Sequence, residues 1–176
     1  MITPWWIVWN LVGFAGAFLV NSVIEWASHR WILHSNRIVR FAWLLHDQEH
    51  HPLFPLDDYT ATTDSPHDTM RRTHVAFVPR DYLGFMAATA PIWLGAEWLA
   101  GVPIALGAAL ATLAQLQLFN SLHWRFHVPA GSWFERTWFF RFLAQHHRLH
   151  HARPMTNLNV SFLPLADFCF GTLRRE

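Results

Sequence analysis

The sequence predicts an all-α integral membrane protein: a helical bundle of about three transmembrane helices with a cytoplasmic-face, histidine-rich helical cap, organised as a single domain over 1–176. Three observations predict it. Residues 4–24, 82–99 and 102–122 are apolar stretches close to the ~20 residues a helix needs to cross a hydrocarbon core of about 30 Å. The 176-residue chain is 52% hydrophobic with 11 Trp and 15 Phe, too apolar for an ordinary soluble domain. Its 13 histidines, by contrast, gather in the polar blocks between and after those stretches.

Residues 4–24 carry no charge, and no Lys or Arg precedes them, so they predict a retained transmembrane helix rather than a removable signal peptide. The pair Trp5 and Trp6 suits a membrane interface, where an indole buries its ring and wets its N–H. From 25 to 51, Arg30, Arg37 and Arg40 alternate with Trp31, Phe41 and Trp43, which predicts a helical extension and an amphipathic juxtamembrane segment. Pro52 and Pro55 end it, and 57–80 is predicted as a polar loop holding His67 and His74.

Residues 82–99 and 102–122 are separated by Ala100 and Gly101, with Pro103 just inside the second stretch, the punctuation of a helical hairpin across the membrane. Gly107, Ala108, Ala111 and Ala114 permit close approach of a neighbouring helix. Trp133, Phe134, Trp138, Phe139, Phe140 and Phe142, interleaved with Arg136 and Arg141, predict an interfacial helix before the last histidines.

Orientation follows from arginine. The chain has no Lys, and every Arg falls in 30–80 or 125–175, none in the first span or the hairpin. Positive charge stays cytoplasmic, so both arginine-bearing blocks face that side, with the amino terminus and hairpin tip opposite. All the clustered histidines then share one face of the membrane.

Those histidines form four groups. His29 and His34 make HX4H; His46, His50 and His51 make HX3HH; His123 and His127 make HX3H; His147, His150 and His151 make HX2HH. On a helix the last three stand at i, i+3 and i+4, so their imidazoles share a face. Imidazole is the commonest protein ligand for zinc, iron and copper, and ten clustered rings exceed the four that one tetrahedral ion uses. The arithmetic predicts two metals. His67, His74 and His146 fall outside the groups.

These groups, in this order around a membrane hairpin and followed by Asn157-Leu158-Asn159-Val160 and Asp167-Phe168-Cys169-Phe170-Gly171-Thr172, resemble the fatty acid hydroxylase superfamily. That superfamily includes sterol desaturases, sterol methyl oxidases and fatty acid hydroxylases, and the carotenoid ring hydroxylases are similar in size. The resemblance covers the chain from Glu25 onward and implies a membrane non-haem diiron oxygenase. It implies a metal set of His29, His34, His46, His50, His51, His123, His127, His147, His150 and His151, with no catalytic side chain beyond the ligands.

The expected cofactors are two iron ions, with zinc able to substitute in an isolated preparation because the site is rich in nitrogen. Iron activates O2; zinc has no redox chemistry. An unactivated C–H bond offers no acidic proton and no leaving group, so acid/base side chains alone cannot break it. The expected partners are a lipid substrate, O2, the membrane and an external electron donor of the ferredoxin or cytochrome type, with no nucleic acid. The single Cys169 excludes an iron–sulfur cluster from this chain, and there is no dinucleotide-binding glycine pattern. Hydroxylation and desaturation of a fatty acyl, sterol or related lipid remain open, as does a carotenoid ring. Two rival classes also remain: a membrane hydrolase using Glu25, Asp47 or Glu49 as base, and a metal-binding or transport protein.

Overall fold

Apolar runs bounded by glycine and proline become helices here, and the computed structural model describes residues 3–75, 79–161 and 163–176. Among the described residues every element is helical and none is a strand. Among the described residues two helical stretches, Pro4–Leu33 and Val102–His127, are long and apolar enough to cross a membrane. The chain divides into two compact units, each assembled from two separated segments.

The first unit comprises Met1–Ser22 and Phe77–Leu118. It contains most of α1 (Pro4–Ser28), all of α5 (Pro79–Ala100) and most of α6 (Val102–His127). Gly101, at φ +90°, reverses the chain between α5 and α6 in a conformation that a Cβ disfavours. Tyr82 donates to Gln117 across the hairpin at 3.2 Å. Small residues let α1 and α6 approach closely: Ala17, Ala108 and Ala111 are buried beneath Phe14, Phe18 and Trp93. Within the same contact Asn21 donates to Thr112 at 3.0 Å.

A Cβ at Gly107 would stand only 2.0 Å from the Asn10 carbonyl oxygen. Backbone cannot yield as a flexible side chain can, so Gly107→Val is expected to separate α1 from α6 and destabilise the protein by more than the ~1–3 kcal/mol of ordinary overpacking. Thermal melting in detergent checks this, and Gly95→Ala, where a Cβ meets nothing within 4 Å, is the control.

The second unit comprises Val23–Ala76 and Phe119–Glu176. The end of α1 passes into a π-helical segment, His29–Leu33, and α2 (Arg40–Trp43) passes into a second, Leu44–His50, followed by the short α3 (His51–Leu53). Then come α4 (Pro66–Thr73), the end of α6, a 3-10 turn at Phe134–Arg136, α7 (Trp138–Ala152) and α8 (Leu165–Cys169). Thr137 caps α7 by accepting from the Phe140 N–H. Phe140 and Leu143 bury the first turns of α7 with Leu122, Phe126 and Val160, and His147 and His150 continue the same buried stripe.

The predicted loop 57–80 is partly helical instead. Ser65 accepts from the Asp68 N–H and Pro66 opens α4, a standard start signal inside a polar stretch. The helix exists to place Arg71, fully buried over the Phe54 ring, where Asp58, Asp68 and the Leu53 carbonyl take its N–H groups. Residues 76–78 of that stretch lie outside the described residues.

Candidate metal centre

All ten clustered histidines belong to the second unit, and the structure brings them together. Two tetrads form: His29, His34, His46 and His150, and His50, His123, His127 and His147, each with its candidate ligand atoms within 4.8 Å of one another. His51 and His151 stack on each other at 4.2 Å. His51 Nε2 is 3.2 Å from His46 Nε2, and the His151 ring stands 4.8 Å from those of His127 and His147.

Spacing and local helix type agree. His29 and His34 are five apart, as are His46 and His51, and both pairs span the π-helical segments, whose i→i+5 turns return the fifth residue close to the first. The His34 N–H bonds the His29 carbonyl at 3.1 Å, closing one such turn. His50 ends the second π-helical segment, α6 carries His123 and His127 one α-turn apart, and α7 carries His147, His150 and His151.

What the rings do with their other nitrogen decides their state. Nδ1 faces a backbone carbonyl in six of them: Leu158 for His29, His74 for His50, Val75 for His123, Tyr59 for His127, Thr156 for His150 and Phe54 for His151. In a seventh, His34, Nδ1 faces the Asp47 carboxylate. Such oxygens only accept, so Nδ1 carries the proton and, in a neutral ring, Nε2 keeps a lone pair.

Those lone pairs converge. His34 Nε2 is 3.2 Å from His150 Nε2, and His50 Nε2 is 3.2 Å from His123 Nε2; in both pairs both rings have already spent their proton on Nδ1. Two acceptors at that distance repel unless a cation stands between them. Protonating the rings is not the remedy. Burial, then neighbouring imidazoles, push His46, His50, His147 and His151 well below the ordinary histidine value, and His150 down to about 3. His34 is also lowered by burial, with Asp47 opposing.

A metal ion resolves the conflict. Two nitrogens bound to one ion at about 2.0–2.1 Å stand about 3 Å apart, and the Nε2 pairs His29–His46 and His127–His147 lie at 3.0 and 3.1 Å. His151 Nε2 is buried without a hydrogen-bond partner among the described residues, a further nitrogen free to coordinate. The residues present therefore fit a two-metal centre.

The remaining histidines stand apart from it. His67 is exposed and 3.9 Å from Asp68. His74 offers the centre its carbonyl, not its ring, which lies 3.6 Å from Glu49. His146, on the neighbouring face of α7, meets Asp167 at 3.2 Å. Spacing alone did not reveal the tail's part. Asp167 accepts from the N–H groups of Leu158 and Asn159, the Asn159 side-chain oxygen accepts from those of Ala166 and Asp167, and Asn157, at φ +54°, donates to the His146 carbonyl. This network fixes the Leu158 carbonyl that orients His29.

Comparison with protein-family models, with curated proteins and with solved structures finds no match.

Proposed function

We propose that this chain is a membrane-bound non-haem diiron oxygenase of the fatty acid hydroxylase type, oxidising an unactivated C–H bond of a lipid. The observation that carries the proposal is the two tetrads of imidazoles whose Nε2 atoms converge, with Nδ1 tied to oxygen in six of the eight rings. Iron bound there would supply activation of O2, drawing two electrons from a ferredoxin- or cytochrome-type donor. Hydroxylation balances as R–H, O2, two electrons and two protons giving R–OH and water; desaturation of two adjacent C–H bonds uses the same inputs and gives two waters.

The protein's own residues hold and orient rather than attack. The carbonyls and Asp47 fix the tautomer of seven of the ten rings, and burial of the rings excludes bulk water from the centre. In this proposal α1, α5 and α6 are the three spans and the histidine face is cytoplasmic, in keeping with the arginine distribution. Exposed apolar residues of α6 such as Leu106, Leu110 and Leu113 suit contact with the bilayer from which the lipid would come.

The hydrolase alternative is disfavoured by what its candidate bases are doing. Glu25 accepts from the N–H groups of Val160 and Ser161, Asp47 is taken by His34 and Gln48, and Glu49 lies beside His74. None is placed as a free base at the tetrads. A transporter would need its polar ligands near the bilayer midplane, whereas His34, His46, His50, His147 and His150 lie outside the two apolar stretches and His29, His123 and His127 stand in their last turns.

The test is lipid product formed by the purified chain with a reconstituted reductase under ¹⁸O2, read by mass spectrometry. One labelled oxygen in the lipid, or loss of two hydrogens with O2 consumed, is expected. Product that forms anaerobically would end the oxygenase proposal.

A further inference from the structure

The two tetrads are not wired alike. In the tetrad of His50, His123, His127 and His147, each Nδ1 partner found among the described residues is a neutral backbone carbonyl, from His74, Val75 and Tyr59, at 3.1 to 3.3 Å. In the other tetrad His34 Nδ1 lies 2.6 Å from Asp47 Oδ1, the shortest of these contacts and the one made to a charge. A second carboxylate acts on that same tetrad through a peptide unit. The Leu158 carbonyl accepts from His29, and the N–H of that peptide, on Asn159, donates to Asp167 at 2.8 Å.

An anionic acceptor draws the Nδ1 proton toward itself and leaves more electron density on Nε2 than a neutral carbonyl does. Polarisation of a peptide by a carboxylate at its N–H strengthens the bond its carbonyl accepts, in the same sense. Both effects fall on one tetrad.

We propose that Asp47, acting through His34, makes the metal position of His29, His34, His46 and His150 the stronger-binding and more electron-rich of two unequal positions. The inference rests on the two-metal reading of the centre. Asp47 is a positioning residue: it touches neither substrate nor metal, and the Gln48 amide, 2.7 Å from its other oxygen, holds it in place. Were iron bound there, the same donation would favour its oxidised state at that position.

The test uses cobalt(II) alone, added to the metal-free full chain in detergent and followed by its visible absorption bands and by calorimetry. The unmodified protein is expected to bind two equivalents in two resolved steps. Asp47→Asn keeps the shape and an accepting oxygen but removes the charge. It should weaken one step by about 10- to 100-fold, the usual effect of losing a ligand's outer partner, and leave the other step and its bands unchanged. Asp47→Glu restores the charge and should recover most of the affinity, which a purely structural role would not produce. Circular dichroism verifies that both variants fold. Equal weakening of both steps, no weakening in Asp47→Asn, or one unresolved step in the unmodified protein would each overturn the inference. No cobalt uptake by the unmodified protein would overturn the two-metal reading and this inference with it, whereas two-step uptake indifferent to Asp47 overturns this inference alone.

Discussion

Alanine at His127 or at His150 is expected to abolish lipid oxidation and to reduce bound metal from about two ions per chain to one or fewer. His127 supplies Nε2 to one tetrad and His150 to the other, so each replacement disables one position. Loss of an outer-shell partner alone costs about 10- to 100-fold in metal affinity or activity, and loss of the ligand itself must cost more. Because both ions are needed together, the double variant should be little worse than either single one, as for residues that act as a unit. His67→Ala and His74→Ala are the controls. His67 is exposed, and His74 contributes to the centre only the carbonyl that alanine retains. Metal analysis beside product formation separates the possibilities: a His127→Ala protein holding two ions and turning over normally would refute the assignment.

How much of this could be read from the sequence depends on whether a residue acts through its side chain or its backbone. The four histidine groups were legible because imidazole chemistry is carried by residue type, and the structure gathers all ten rings. Their geometry was less so. A separation of five looks wrong for an α-helix, where it rotates a side chain about 140° off its partner's face, yet it suits the π-helical turns at His29–Leu33 and Leu44–His50. Nothing in composition forecasts a π turn. The carbonyls of Tyr59, His74, Val75, Thr156 and Leu158 that fix the rings were invisible for a stronger reason, since any residue offers the same oxygen. The helix α4 was a missed signal: Ser65-Pro66 with Asp68 behind it is a cap that the polar composition of 57–80 obscured. The small residues of α6 behaved as their size suggested, Gly107, Ala108 and Ala111 lying in the contact with α1.

Replacing Asp167 with alanine should produce the largest loss of stability among changes outside the ligands, about 3–5 kcal/mol, because several buried donors would each lose their acceptor at ~1–3 kcal/mol apiece. Its carboxylate is fully buried and takes hydrogen bonds from the Leu158 and Asn159 N–H groups at 2.8 Å and from the Thr172 hydroxyl at 2.6 Å, with His146 at 3.2 Å. The Thr172 hydroxyl in turn accepts from the Trp26 indole, which ties the end of α1 to the tail. Alanine would strand two backbone donors in the interior and release the Leu158 carbonyl that orients His29, so weaker metal binding should accompany the lower melting temperature. Burial pushes the Asp167 carboxyl up, but bonds from His146, Thr172, Asn159 and Leu158 more than offset it and leave it below the ordinary carboxylate range. A carboxylate with a lowered folded pKa contributes its full stabilisation above the unfolded value of about 3.9 and loses it as pH falls through the folded one. The difference in stability between Asp167→Ala and the unmodified protein should therefore hold constant from about pH 8 to pH 5 and shrink only in more acidic solution. Denaturation in detergent across that range measures it, and a variant within about 1 kcal/mol of the unmodified protein at pH 7 would show that the tail is held by something other than this carboxylate.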